Sequence, residues 1–232
     1  MLNAVAALPA PLPLPALPAL ELWVLDAALP GVEVLVLDPE ERSRAARMGG
    51  EDRAAFVTAH VLLRRLLADR LGVAPQDIAY RREPCPRCGA LRGRPALASP
   101  HRSLHFSLSR RAGMILIGIA SAPVGVDVEA LPARATATEV AELLHPEERA
   151  EIFAVAPATR AEAFARVWTR KEAYLKAVGT GAGHGLEQDY LGAEGRAPAP
   201  EDFTIADVPV AAGYRAAVAV RGASTPRRAR TG

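Results

Sequence analysis

Two short stretches carry most of the residues whose types and spacing could do chemistry. In Trp168-Thr169-Arg170-Lys171-Glu172-Ala173-Tyr174-Leu175-Lys176, an aromatic, an acid and two lysines fall among strong helix formers. On a helix, Trp168, Glu172 and Lys176 recur every fourth residue and share one stripe, with Lys171 adjacent. Such a face suits a metal and a phosphate, and equally a solvated Glu–Lys pair, a common helix stabiliser worth roughly 0.2–0.5 kcal/mol. In Gly125-Val126-Asp127-Val128-Glu129, two acids alternate with two valines. On a strand this pattern puts both carboxylates on one face and both valines in the core.

Two carboxylates roughly 5 Å apart repel by about 3 kcal/mol at an effective dielectric of about 20, so they need a neutralising partner unless the strand end is solvated. A hard divalent cation such as Mg²⁺ takes one or two protein carboxylates and fills its other positions with water and phosphate oxygens. Adding Glu172 gives Asp127, Glu129 and Glu172 for a cation, with Lys171 and Lys176 for a phosphate, the layout of phosphoanhydride chemistry. Glu172 is either a metal ligand or the base that takes a proton from an attacking hydroxyl.

These residues need a strand and a long helix brought together. Strands are expected at 21–26, 32–37, 104–109, 114–120, 124–129, 203–208 and 214–220, with a short one at 78–81. Asp38-Pro39-Glu40-Glu41-Arg42 reads as a helix start, with Asp38 as N-cap and Pro39 in the first turn. A longer helix should run from 51 to 71 and end at Gly72. The Pro-, Arg- and Gly-rich segment 74–102 reads otherwise as an irregular connection. His145-Pro146-Glu147-Glu148-Arg149 repeats the earlier helix start at an offset of 107 residues (146 − 39 = 107). Two halves of similar order, each a capped helix followed by a long one, imply an internal duplication and a shared cleft between the halves. The expected fold class is therefore α+β, with halves at 21–122 and 123–221.

The 232 residues are half hydrophobic, enough for a sizeable core, and the net charge of +2 argues against a general nucleic-acid binder. The apolar run from Ala4 to Leu20 is broken by Pro9, Pro11, Pro13, Pro15 and Pro18. That many prolines exclude a signal helix or membrane span, so residues 1–20 read as an extended, disordered leader. Arg227-Arg228-Ala229-Arg230 lies in a basic tail at 222–232, expected to be disordered. Cys85 and Cys88 form a Cys-x-x-Cys pair, which fits a reducing, cytoplasmic setting. With His101 and His105 they resemble half a zinc knuckle, though ordinary surface thiols are the favoured reading. His184 reads as a loop residue, and Arg64-Arg65 and Arg81-Arg82 as surface charges, either of which could help receive an acidic partner.

The motifs Gly125-Val126-Asp127-Val128-Glu129 and Trp168-x-x-Lys171-Glu172-x-x-x-Lys176 together resemble the paired signature of the 4′-phosphopantetheinyl transferases of the surfactin-synthetase-activating type. The resemblance runs from about 39 to 220. It implies a pseudo-dimeric α/β fold and an Mg²⁺-dependent transfer of phosphopantetheine from coenzyme A to a serine of an acyl or peptidyl carrier protein, as in polyketide or nonribosomal peptide biosynthesis. The other product would be 3′,5′-adenosine bisphosphate. Carried over, Asp127, Glu129 and Glu172 would hold the metal, with Asp127, Glu172 and Lys176 catalytic. Lys176 and, more weakly, Lys171 would meet the pyrophosphate.

Gly93-Arg94-Pro95 resembles the family's Gly-Lys-Pro and places Arg94 near the coenzyme A phosphates. His105-Phe106-Ser107-Leu108-Ser109-Arg110 resembles a further cofactor motif, in which Ser109 keeps its place and Arg110 replaces a histidine. Glu41 stands where a lysine is common, with Arg44 nearby as a substitute cation. The resemblance implies a monomer with no membrane partner. From a different class, the chain could be a non-catalytic coenzyme A or carrier-protein binding module derived from such enzymes. The intact set of three acids speaks against it.

Overall fold

The structure is a computed structural model that describes residues 10–14, 17, 20–26, 34–181, 185–195, 198–200 and 202–222. His184 and the arginine-rich tail lie outside the described residues.

Two three-stranded antiparallel sheets organise the chain. β1 (Leu20–Asp26), β4 (His105–Arg111) and β5 (Met114–Ala120) form the first, in the order β1-β5-β4. β6 (Val124–Ala130), β7 (Phe203–Asp207) and β8 (Tyr214–Arg221) form the second, in the order β6-β8-β7. Each sheet thus places its last strand in the middle. β5 reads Met-Ile-Leu-Ile-Gly-Ile-Ala and is buried throughout, as expected of a central strand covered on both faces. Between the outer strands come β2 (Tyr80–Arg82) and β3 (Pro95–Leu97), a separate hairpin.

Among the described residues, five α-helices cover the sheets: α1 (Pro39–Ala46), α2 (Gly50–Leu71), α3 (Arg134–Ala141), α4 (Pro146–Ala154) and α5 (Arg160–Val178). The repeated Pro-Glu-Glu-Arg starts both form capping boxes. Asp38 accepts from the Glu41 N–H while Glu41 accepts from the Asp38 N–H; at α4 the His145 ring accepts from the Glu147 N–H while Glu148 accepts from the His145 N–H. Each third-position glutamate also reaches into the following long helix. Glu41 meets Arg64 Nε at 2.7 Å, and Glu148 meets Lys171 Nζ at 3.0 Å. Arg64 and Lys171 are themselves 107 residues apart (171 − 64 = 107), so the offset seen in sequence persists in the packing.

A core cluster shared by the two sheets joins Leu20, Leu22, Met114 and Leu116 to Val124, Val126, Val128 and Val218. Where β4 runs beside β6, serine hydroxyls supply the hydrogen bonds. Val126 N–H donates to Ser107 Oγ at 3.0 Å and Val128 N–H to Ser109 Oγ at 3.3 Å. α5 lies on β6 at Gly125, where a Cβ would stand 2.0 Å from the Ala173 carbonyl oxygen, so only glycine permits this approach.

The structure departs from the sequence reading in several places. The strand expected at 32–37 is, over Val34–Val36, a 3₁₀ turn, because Val36 and Leu37 anchor the corner between α1 and α2 against Phe56, Val57 and Val61. The short strand at 78–81 lies instead at Tyr80–Arg82, since Ile78 closes a 3₁₀ turn and enters the core. Its partner strand β3 falls in the segment read as irregular. The described part of the leader is not detached: Leu12, Leu14 and Leu17 pack on the shared core, and Leu12 N–H donates to Leu22 O at 2.6 Å. Apolar residues alternating with proline suit an extended segment laid on an apolar surface.

Candidate functional site

Asp127 sits mid-strand on β6, 3 % exposed, facing α5. Lys176 Nζ lies 2.6 Å from its Oδ1 and donates to the Val126 carbonyl at 3.1 Å. Ser109 Oγ donates to the same Oδ1 at 2.9 Å. The other carboxylate oxygen, Oδ2, is buried with no hydrogen-bond partner. A buried carboxylate oxygen is costly to leave unmatched, so this atom marks where a further cation or donor fits.

Glu129, two residues along β6, is half-buried and meets Arg111 Nε at 3.0 Å. Glu172 and Lys176 are half-buried one turn apart on α5. Burial raises the Glu129 carboxyl above its ordinary value and the charge of Asp127 adds to the rise, against Arg111 and Lys176. Glu172 is raised in the same way, first by burial and then by Asp127, with Glu129 adding a smaller contribution. The three acids therefore share a field that disfavours a third negative charge.

Asp127 and the electrostatic coupling of the three acids suit a divalent cation, whose donor set would be hard oxygens. Among the described residues, however, no group of three or more His, Cys, Asp or Glu side chains is arranged as a ready-made metal cage.

Beside this cluster lies a cavity of ≈ 600 Å³. Arg44, Arg81, Arg82, Arg92, Arg94 and Lys176 line it, with Phe106, Leu108 and Leu175 as apolar wall. Its lining comes from elements on both sides of residue 122, including Val124, Gly179 and Gly181. Arg94 bridges the two sides. Its Nε is 2.7 Å from Glu83 and its Nη1 donates to the Ala177 carbonyl near the end of α5 at 2.6 Å.

Of the residues singled out in sequence, Arg44, Arg94 and Lys176 line the cavity, while Asp127, Glu129, Glu172 and Ser109 gather beside it. Arg110 is set back. Its guanidinium lies 5.3 Å from the Phe56 ring centroid, and Arg44 lies 5.4 Å from the same ring. Burial lowers the pKa of Arg110, with Arg44 contributing and Asp52 opposing.

Lys171 is the clear exception. It is fully buried against Glu148 and donates to the Asp189 carbonyl, because one helical position carries it away from the Glu172 stripe and into the packing of α4. It is therefore not a phosphate contact. Glu41 is likewise explained by packing: it holds Arg64 and His60, and Arg64 is completely buried, not a surface charge. Cys85 is buried and so is not the surface thiol expected. Sequence reasoning missed the cavity roles of Arg81, Arg82 and Arg92. Their signal was the density of arginines flanking a Gly-Arg-Pro motif. Trp168 packs beside Phe164 and the core of the α3–α5 layer, as expected of a residue that seats the helix.

A sequence model of the 4′-phosphopantetheinyl transferase superfamily matches residues 123–210, the segment that contains Asp127, Glu129, Glu172 and Lys176. A putative 4′-phosphopantetheinyl transferase of Synechocystis sp. is 30 % identical over 179 residues, covering 74 % of this chain and 70 % of that protein. A phosphopantetheinyl transferase of Thraustochytrium sp. is 31 % identical over 66 % of this chain and 56 % of its own length. The 4′-phosphopantetheinyl transferase psf-1 of Bacillus pumilus is 27 % identical over 58 % of this chain and 54 % of its own length. Matched regions thus span little more than half of the latter two relatives. With the first relative matched over more than two thirds of its length, the chain belongs to the 4′-phosphopantetheinyl transferase superfamily.

Proposed function

We propose that the chain transfers the phosphopantetheine arm of coenzyme A to a serine of an acyl or peptidyl carrier protein. The observation that carries this reading is the placement of Asp127, with its buried, unmatched Oδ2, beside Lys176 at the edge of a cavity rich in arginine. Coenzyme A brings a pyrophosphate and a 3′-phosphate, and arginine forks bind such groups in bidentate fashion. The cavity volume falls within the range of cofactor sites.

Asp127, Glu129 and Glu172 are the residues that would hold Mg²⁺, which when bound would neutralise charge on the pyrophosphate oxygens. The chain's own groups supply the other requirements. Ser109 holds the Asp127 carboxylate in place from β4. Lys176, already at the cavity edge, receives the charge that grows on the departing phosphate. Glu172, one turn from Lys176 on α5, takes the proton of the attacking serine hydroxyl. The serine oxygen forms a bond to the β-phosphorus, the bond from that phosphorus to the bridging oxygen breaks, and 3′,5′-adenosine bisphosphate leaves.

The equal strand order of the two sheets and the repeated Glu–cation pair support a duplicated fold in which 21–122 and 123–221 form a pseudo-dimer with the cavity between them. A site completed within one chain needs no second copy, so the functional unit is a monomer. Free cysteines are compatible with a cytoplasmic setting.

Incubation with coenzyme A, Mg²⁺ and an apo carrier protein should add one phosphopantetheine arm to the carrier by intact mass. Asp127→Ala should abolish the addition and keep the fold. Coenzyme A binding without transfer to any of several carriers would replace this reading with that of a non-catalytic binding module.

A further inference from the structure

Cys85 and Cys88 occupy the loop between β2 and β3, a segment that the proposed transfer leaves unused. Backbone bonds close this loop tightly: Glu83 N–H donates to Arg94 O at 3.1 Å, Gly93 N–H to Glu83 O at 2.9 Å and Cys85 N–H to Ala90 O at 2.8 Å. Gly89, with φ of 73°, turns the chain so that its N–H donates to Cys85 O at 2.8 Å. The resulting knuckle holds Cys85, 1 % exposed, and exposed Cys88 in one closed turn. Arg92 donates to Cys88 Sγ at 3.4 Å and also lines the cavity. One loop therefore holds a sheltered sulfur, an accessible sulfur three residues on, and a cavity arginine in contact with the accessible one.

We propose that Cys88 is a site of thiol–disulfide exchange with low-molecular-weight disulfides, that Cys85 is its resolving thiol, and that oxidation, by removing the thiolate beside Arg92, strengthens anion binding in the cavity. The Cys88 thiolate attacks one sulfur of the small disulfide, whose S–S bond breaks and releases one thiolate that takes a proton. Cys85 then loses its proton and attacks the Cys88 sulfur, releasing the second small thiol. The protein gives up two thiol hydrogens and gains one disulfide, and the reagent is reduced to two thiols.

Hydrogen bonds from the Ala90 N–H and Arg92, with Cys85 adding to the fall, lower the Cys88 thiol to about 7, toward the reactive thiolate. The spacing is that of exchange-active pairs, in which the outer sulfur attacks and the inner one resolves. A structural metal is not the better reading, since among the described residues no third ligand joins the pair. Once Cys88 is in a disulfide, Arg92 loses the thiolate it now contacts, and the loop that carries Arg92, Gly93 and Arg94 changes its internal bonding. This coupling to the cavity rests on the coenzyme A reading above, whereas the exchange itself does not.

The reduced full chain would be treated with glutathione disulfide in one arm and coenzyme A disulfide in the other, quenched with N-ethylmaleimide and weighed intact. The wild type should lose both maleimide additions, Cys85→Ser should retain one small-thiol adduct, and Cys88→Ser should remain unmodified by the disulfide. Iodoacetamide should react with Cys88 with a midpoint near the value above, against about 8.5 for a free thiol. A faster reaction with coenzyme A disulfide supports delivery through the cavity, and equal rates support exchange with small disulfides generally.

No adduct on Cys85→Ser, or an alkylation midpoint at the free-thiol value, overturns the exchange. Oxidation should also tighten coenzyme A binding by about tenfold in titration calorimetry, because one competing charge-assisted contact to Arg92 is lost. Full oxidation with unchanged affinity overturns the coupling. If the reduced protein does not bind coenzyme A at all, the transferase reading fails while the mass data still decide the exchange.

Discussion

Lys171 and Lys176 belong to one helix and answer to different partners. Lys176 faces Asp127 across the β6 strand, and Lys171 faces Glu148 in a fully buried pair. Burial lowers Lys171 and raises Glu148, each being held in its charged form by the other. Lys171→Ala should therefore destabilise the protein by about 3–5 kcal/mol, because it strands a buried carboxylate. Lys176→Ala should cost less stability than Lys171→Ala, because Lys176 is itself partly exposed and Ser109 still holds the Asp127 carboxylate, and should cut kcat about a hundredfold or more, as loss of one charge-stabilising donor does. Thermal melts and transfer kinetics on the two variants separate these outcomes. Asp127, Glu129, Glu172 and Lys176 were legible in the sequence because a period of two on a strand and of four on a helix fixes which face each occupies. Lys171 was misplaced because adjacency to a stripe was taken as membership in it, although one residue turns a helix by about 100°. The signal that identifies its partner was available. Glu148 repeats Glu41, and Lys171 repeats Arg64.

Among the elements, the contact between α5 and β6 decides whether the site can form. Gly125→Ala would drive a methyl group into the Ala173 carbonyl and the Ala177 nitrogen, both backbone atoms that cannot rotate away. The helix must then lift, so the variant should lose about 1–3 kcal/mol of stability and lose transfer more than stability. Calorimetry combined with the carrier assay tests this.

At the start of α1, burial alone would raise the Glu41 carboxyl, but hydrogen bonds from His60, the Asp38 N–H and Arg64, with the charge of Arg64, hold it below its ordinary 4.5. A carboxylate lowered by folding contributes stability above its unfolded pKa and loses it as pH falls through the folded value. The stability advantage of wild type over Glu41→Gln should accordingly be constant above 4.5 and shrink on further acidification, as measured by chemical denaturation across that range. The central strands and long helices were readable from composition and period. The 3₁₀ turn at Val34–Val36 was not, because a short apolar run does not say whether it pairs with a strand or plugs a corner.

At the scale of the whole molecule, each sheet has its own capped helix and buried ion pair, yet the core that unites Leu20, Leu22 and Leu116 with Val124, Val126 and Val218 belongs to both. Neither segment alone can cover that surface, and the β4–β6 joint depends on Ser107 and Ser109. The repeated capped helix start was visible in the sequence through the two Pro-Glu-Glu-Arg runs. The joint was not, because serine hydroxyls replacing a backbone ladder leave no periodic mark. Ser107→Ala with Ser109→Ala should leave the Val126 and Val128 N–H groups without acceptors and cost about 1–3 kcal/mol for each buried orphan, measurable by denaturant unfolding.

The shared core has a thermodynamic consequence of its own. If the chain were cut between Ala122 and Pro123, the apolar surfaces of the two pieces would become each other's ligand, and folding would become a bimolecular event governed by mass action. Co-expressed fragments 1–122 and 123–232 should reassemble into a complex whose melting temperature climbs with protein concentration, whereas that of the uncut chain stays fixed. A melting temperature independent of concentration in the cut protein would mean that each piece folds by itself and that the common core contributes little to either.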